Sequence, residues 1–259
     1  MPDSPPPPFP DHFSSVSAAY AASRPPYPDA LFEWLAALAG HHLAWDVGCG
    51  TGQAARGLAA HFDAVVATDA SSAQIASADP HAGVNFLVAR AEQSGLAASS
   101  VDLITCAQSV HWFDLPRFYA EARRVLVPGG ALAVWCYGLP RLGDGAGAQG
   151  FDEFVRRMSP WWPPERALVD AGYASLPFPF PEVRAPAFAM SADWGLERFL
   201  AYLGTWSAVS RCTASTGTDP VSEAAPAIAR AWGRAGAVRH ISWPISIRAA
   251  ANLQRSSLS

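Results

Sequence analysis

Apolar residues along the 259-residue chain fall into runs of two kinds. "HLAWDV" (42–47), "AVVATD" (64–69), "VNFLVA" (84–89), "VDLITCAQS" (101–109) and "ALAVWCY" (131–137) are short and nearly continuous. Runs of this kind predict strands covered on both faces, since a strand with one wet face would alternate. Between them lie segments with helical spacing, "GQAARGLAAHF", "SSAQIASA" and "LPRFYAEARRVL". Upstream, residues 13–22 predict a short helix that Pro25, Pro26 and Pro28 end, and Pro28 then opens a second helix with the apolar stripe Leu31, Trp34, Leu35 and Leu38, stopped by Gly40. Strands alternating with helices predict an α/β fold in which a mostly parallel sheet carries helices on both faces.

Beyond residue 137 the pattern loosens. Residues 143–150, "GDGAGAQG", read as a loop, 151–158 and 193–209 as helices, and "EVRAPAFAM" and "RHISWPISIRA" as two further strands, the second demoted toward an edge by Pro244. The stretch after residue 210, rich in small residues and turn formers, gives no clear element. At the other end, "MPDSPPPPFP" holds five prolines in its first eight residues, which predicts an extended, disordered tail over 1–12 preceding a single domain, 13–259.

Composition narrows the classes. Half of the chain is hydrophobic, enough for a substantial core, and a net charge of −4 gives no general attraction for nucleic acid or an anionic membrane. No apolar run is long enough to span a bilayer, and the first residues lack a signal-peptide pattern. Cys49, Cys106, Cys136 and Cys212 are scattered without paired spacing, so neither a disulfide framework nor a metal site is indicated, and a reduced, cytoplasmic setting is expected.

The chemistry concentrates behind the first strand, in "DVGCGTG". In an open parallel sheet, ligands bind beyond the carboxyl ends of the strands, and a glycine-rich first turn lets the main chain approach an anionic group at the start of the next helix. Two ligand classes fit. Gly50-Thr51-Gly52-Gln53-Ala54-Ala55 matches the dinucleotide pattern G-x-G-x-x-A, with Asp69 nineteen residues after Gly50 as a ribose acid. Asp46, two residues before Gly48, would repel a pyrophosphate and attract an ammonium, which suits S-adenosylmethionine better.

"DVGCGTG" resembles the first motif of the class I S-adenosylmethionine-dependent methyltransferases. "VVATDAS", "VARAEQSGL", "VDLITCAQSVHWFD" and "RVLVPGGALAVW" resemble the segments that follow it in that family, so that the likeness covers roughly residues 27–137. The exit "QSVHWF" and the segment "FLAYLGTWSAV" (199–209) are similar to the small-molecule branch that includes trans-aconitate methyltransferase-like proteins. The resemblance implies a Rossmann-like sheet of seven strands, order 3-2-1-4-5-7-6 with the seventh antiparallel, and a helical C-terminal insertion. It also implies a cofactor-binding core over 27–137, a variable substrate side over 138–238, and a final strand over 239–249.

It further implies roles. Gly48, Gly50 and Gly52 would approach the cofactor, with Asp46 near its amino group and Gln53 at the helix start. Asp69 would hold the ribose hydroxyls, Ala70 and Ala91 would pack at the adenine, and Glu92 would accept from the adenine amino group. Gln108 and Trp112 leave the fourth strand on the substrate side, Gln108 as a further cofactor-binding residue and Trp112 as an aromatic wall for the sulfonium. His111, with an ordinary pKa near 6.5, is a candidate general base. Tyr20, Arg24 and Tyr27 would form a lid, and the tryptophans of the C-terminal half are expected to be core. Arg123 and Arg124 are expected to be solvated. The function expected is methyl transfer to a small-molecule acceptor through a carboxylate, hydroxyl or carbon atom, by a monomer or homodimer without nucleic-acid or membrane partners. A non-catalytic cofactor binder on the same fold and an NAD-dependent oxidoreductase remain open.

Overall fold

In the computed structural model, residues 25–143, 148–234, 236–251 and 253 are described. The expected tail over 1–12 and the helix over 13–22 lie outside them. The first described helix, α1 (Asp29–Ala36), starts behind Pro28 and buries Leu31 and Leu35 of the expected stripe together with Phe32, while Trp34 and Leu38 are only partly buried. There follow β1 (Leu43–Val47), α2 (Gln53–Leu58), β2 (Ala64–Asp69), α3 (Ser72–Ala76), β3 (Val84–Val88) and β4 (Val101–Ala107). A 3-10 turn over Val110–Trp112 leads into α4 (Leu115–Val125), whose first turn is capped by Asp114, and then β5 (Leu126–Tyr137). The C-terminal part comprises β6 (Arg141–Leu142), α5 (Ala148–Met158), α6 (Arg166–Asp170), β7 (Glu182–Val183), β8 (Phe188–Gly195), α7 (Leu196–Gly204), α8 (Ser207–Thr216), α9 (Pro220–Trp232) and β9 (Val238–Ala250).

Among the described residues these strands form one sheet. Its order is β3-β2-β1-β4-β5-β9-β6, with β7 and β8 also paired to β9. The β1, β2, β3, β4 and β5 pairings are parallel, and β9 runs antiparallel to β5. This is the Rossmann-like order expected, with the sixth strand of the expected set split into β7 and β8.

Alternation along the strands divides the core between the two faces of the sheet. Ala131, Ala133, Trp135 and Tyr137 of β5 pack with α1 and the C-terminal helices, whereas Leu132, Val134 and Cys136 pack with α4. Of the tryptophans expected in the core, Trp194, Trp206 and Trp232 are buried, with Trp194 edge to face with Trp243 at 5.2 Å, while Trp161 and Trp162 are only partly buried against it.

Four local expectations change. Pro244 does not mark an edge. β9 has β5 and β6 on one side and β7 and β8 on the other, and Pro244 falls between Ser242, which pairs with β6, and Ile245, the first residue paired to β5. The missing N–H therefore sits where β9 changes partner. Residues 193–195 extend β8 rather than beginning a helix, because they pair with β9 through Gly195↔Val238. Residues 148–150 belong to α5 rather than to a loop, and Gly150 is there because α5 crosses α9 closely: a Cβ would stand 2.8 Å from the Ala227 carbonyl oxygen. Finally, the unassigned stretch after 210 is helical, divided at Gly217 (φ 73°) and restarted where the Asp219 carboxylate accepts from the Val221 and Ser222 amides at 3.0 and 3.2 Å.

Candidate active site

The carboxyl ends of β1, β2, β3 and β4 open onto a cavity of about 510 Å³. Its floor is the β1–α2 turn, where Gly48, Gly50 and Gly52 all have positive φ. Two of these positions admit no side chain. A Cβ on Gly48 would lie 2.5 Å from the Ser109 Cβ, and one on Gly52 2.5 Å from the Phe86 ring. The turn is thus clamped between the exits of β3 and β4. Ser109 closes the clamp by donating from its hydroxyl to the Val47 carbonyl at 2.9 Å.

Asp69 ends β2 at the mouth of this turn. Its carboxylate accepts from the Gly50 amide at 2.9 Å and from the Ser71 amide at 2.8 Å, while Ser71, not Asp69, caps α3. Two backbone donors hold the acid in register with the glycine turn, on the cavity wall. Ala70, Ala91 and Glu92 line the wall next to it, and Glu92 accepts from the Asp114 amide at 2.9 Å, which ties that wall to the start of α4. Gln53 lines the cavity and donates from its amide to the Pro25 carbonyl at 2.7 Å. Gln108, at φ 57°, donates to the Tyr137 carbonyl at 2.8 Å, and its Oε1 is buried without a hydrogen-bond partner. Tyr27, Trp112, Phe113 and Tyr137 complete the lining, Phe113 beside Gly48 and Tyr27 edge-on to Trp135 at 5.6 Å.

Two sequence expectations need correction, and two cannot be placed. Asp46 does not line the cavity. It sits on the same face of β1 as Ala44, fully buried, and pairs in register with Thr105, whose hydroxyl donates to Oδ1 at 2.9 Å. Its Oδ2 is buried without a hydrogen-bond partner. Burial pushes its pKa up to about 7; the Thr105 hydroxyl and the Ala55 backbone amide at the start of α2 oppose that push, and the Asp69 charge adds to it. Asp46 therefore lies behind the turn rather than on the cavity wall. The second correction is His111. The 3-10 turn directs Trp112 into the cavity wall and turns His111 away, to a 2.8 Å hydrogen bond between Nδ1 and the Tyr173 hydroxyl. Burial, reinforced by the Arg166 guanidinium, pushes its pKa down to about 4. It is a partly buried histidine, hydrogen-bonded to Tyr173 and absent from the cavity lining. Tyr20 and Arg24 lie outside the described residues.

Sequence reasoning also missed several walls. Ser109 and Phe113 adjoin residues already singled out, and the glycine turn's need for a close partner was the signal for Ser109. Gln74, Asp29, Arg56 and Arg90 line the cavity from α1, α2, α3 and the β3 exit, positions with no motif of their own. Arg123 and Arg124 are not simply solvated. Arg123 donates to the Pro179 carbonyl at 2.7 Å and lies over the Phe180 ring, and Arg124 pairs with Glu121 at 2.7 Å. That pairing, together with the Ser94 donors, pulls the Glu121 pKa down to about 2.

Among the described residues, no group of three or more His, Cys, Asp or Glu side chains is arranged to hold a metal ion, and no helix is long and apolar enough to cross a membrane.

The site is a glycine turn with an acid on the cavity wall beside it and a second acid buried behind it, at the carboxyl ends of a Rossmann-like sheet. The profile of a family described as a methyltransferase domain matches residues 45–134. A Dictyostelium discoideum protein named as a methyltransferase is 31% identical over 86% of this chain and 87% of its own. A Saccharomyces cerevisiae protein named as an S-adenosylmethionine-dependent methyltransferase is 31% identical over 38% of this chain and 37% of its own. The solved structure of a protein assigned as a type II methyltransferase, from Anaeromyxobacter dehalogenans, superposes with a TM-score of 0.83 at 47% identity, over 89% of this chain and 98% of that one. The chain belongs to the class I S-adenosylmethionine-dependent methyltransferases, and its cofactor is S-adenosylmethionine.

The residues present fit that cofactor. Asp69 presents its carboxylate on the cavity wall beside the glycine turn, and Asp46 is a buried acid behind that turn, a donor set compatible with a nucleoside carrying an amino group.

Proposed function

We propose that this protein transfers a methyl group to a small-molecule acceptor, through a carboxylate, hydroxyl or carbon atom, held against Trp112 and Tyr137. The observation that carries the reading is the cavity itself. At about 510 Å³ it joins the Asp69–Glu92 wall to an aromatic wall of Tyr27, Trp112, Phe113 and Tyr137 in one space, the size of a small-molecule site. When bound, S-adenosylmethionine supplies a methyl group already activated on a sulfonium.

The chain's own residues bind, orient and exclude water. Asp69 and Glu92 anchor the nucleoside end, and Gly48, Gly50 and Gly52 allow close approach. Ala70, Ala91 and Gln53 complete that end by packing and by bracing the turn. The aromatic wall offers ring faces to positive charge and displaces solvent from the acceptor. Gln108 contributes by anchoring the Tyr137 carbonyl and so fixing the acceptor end. Among the described residues lining the cavity there is no histidine. This favours catalysis by alignment, to which orientation can contribute about 7–11 kcal/mol.

The test is label transfer from methyl-labelled S-adenosylmethionine to a panel of small carboxylates, phenols, alcohols and carbon acids, alongside calorimetry with S-adenosylhomocysteine. Transfer to one chemical class supports the reading. Tight binding of S-adenosylhomocysteine with no transfer to any member refutes it.

A further inference from the structure

His111 is withdrawn from the cavity, yet it is far from idle. Its Nδ1 is joined to the Tyr173 hydroxyl at 2.8 Å, and its ring packs against Trp112 with centroids 4.9 Å apart. Trp112 is cavity wall; Tyr173 is not, and neither is any residue of α6 or of the turn that follows it. Tyr173 is fully buried and held at φ 60°, a left-handed backbone conformation that a bulky residue adopts only when its surroundings impose it. Those surroundings are specific. The Tyr173 amide donates to the Leu168 carbonyl at 2.8 Å, and Arg248 of β9 donates to the Tyr173 carbonyl at 3.2 Å while pairing with Glu182. Arg166 lies over the Trp162 ring at 4.3 Å and pairs with Asp170 at 2.7 Å, fixing α6 beneath the same histidine. A strained, buried tyrosine whose hydroxyl meets the residue next to a cavity wall is a mechanical link between the C-terminal region and the acceptor end.

We infer that His111 is a positioning residue. Its hydrogen bond to Tyr173 fixes the 3-10 turn that carries Trp112, so the 166–176 segment sets the position of the acceptor-side wall without touching the cavity. This inference rests on the proposed function only in taking the Trp112 wall as the acceptor side. Its consequence is that sequence changes in 166–176 alter acceptor fit while leaving cofactor binding alone.

The test uses the full chain labelled with 5-fluorotryptophan, the Trp112 resonance being assigned by Trp112→Phe. Tyr173→Phe removes one hydroxyl and no bulk; His111→Asn keeps a polar atom near the Nδ1 position; His111→Ala removes it. The expected result is a shifted or broadened Trp112 resonance in Tyr173→Phe and His111→Ala and a wild-type-like one in His111→Asn. S-adenosylhomocysteine affinity should stay within about threefold of wild type in Tyr173→Phe. A Trp112 resonance indifferent to Tyr173→Phe, or equally disturbed by His111→Asn and His111→Ala, overturns the inference alone. Failure of the wild type to bind S-adenosylhomocysteine at all would overturn the reading it rests on.

Discussion

Asp46→Asn tests the electrostatics of the site without removing volume. In the folded chain the Asp46 carboxyl is fully buried and its pKa is pushed up to about 7, against 3.8 ordinarily. A carboxyl whose folded-state pKa is raised binds its proton more tightly in the native state than in the unfolded one. Folding stability therefore falls as pH rises from the ordinary value through about 7, and levels off above both. At about 1.4 kcal/mol per tenfold change in proton affinity, the whole penalty is of order 4 kcal/mol, of which about 2–3 kcal/mol develops between pH 5 and pH 8. The asparagine cannot ionise, so this part of the pH dependence should vanish, whatever constant offset its amide introduces. The assay is urea denaturation of wild type and Asp46→Asn at a series of pH values across that window. The difference in unfolding free energy between the two proteins should drift by about 2–3 kcal/mol in favour of the variant as pH rises. The same carboxylate should lose its proton when an ammonium arrives behind the turn. S-adenosylhomocysteine binding near neutral pH is then expected to release protons in wild type and none in the variant, read by calorimetry in buffers of different ionisation enthalpy. Parallel stability curves for the two proteins would refute the claim that Asp46 is a strained, buried acid.

Asp69→Ala should weaken S-adenosylhomocysteine binding by about 1–3 kcal/mol, through lost charge-assisted hydrogen bonds, and unchanged calorimetric affinity would remove Asp69 from the ribose site. Gly52→Ala must hold φ 86° and fit a Cβ 2.5 Å from Phe86, so it should cost at least about 1–2 kcal/mol of stability and most of the cofactor affinity; a wild-type melting temperature with normal binding contradicts the clamp. Gly150→Ala pits helix propensity, worth about 1 kcal/mol in its favour, against a Cβ 2.8 Å from the Ala227 carbonyl and 3.0 Å from the Ile228 Cα. Backbone of α9 cannot swing aside as a side chain would, so overpacking should win and the variant should melt lower.

The N-terminal half was legible because its strands read as uninterrupted apolar runs bounded by turn residues; β1 and β4 are covered on both faces, whereas β3, at the sheet edge, leaves Leu87 and Val88 exposed. β2 begins and ends where the pattern put it, and Asp69 lands at the cavity because a strand's last residue points the way its neighbours dictate. Where the pattern failed, partners rather than local sequence decide. α8 and α9 are built from alanine, serine and threonine with Pro226 inside the second, a composition that also suits loops; packing of Cys212, Val221, Ile228 and Trp232 makes them helices. Pro244 looked like an edge because the sequence does not show that β9 changes partner beside it. The 3-10 turn after β4 is the clearest case. "VHWF" names an imidazole and an indole side by side, and either could face a ligand. Which one does is set by Tyr173, sixty-two residues away and on a segment with no motif. The same logic separates the two acids of the site. Asp46 and Asp69 both end apolar-rich strand runs, but Asp46 lies one residue inside β1 and is buried against Thr105, whereas Asp69 is the terminal residue of β2 and turns onto the glycine loop. One acid thus lies buried behind the glycine turn and the other stands on the cavity wall.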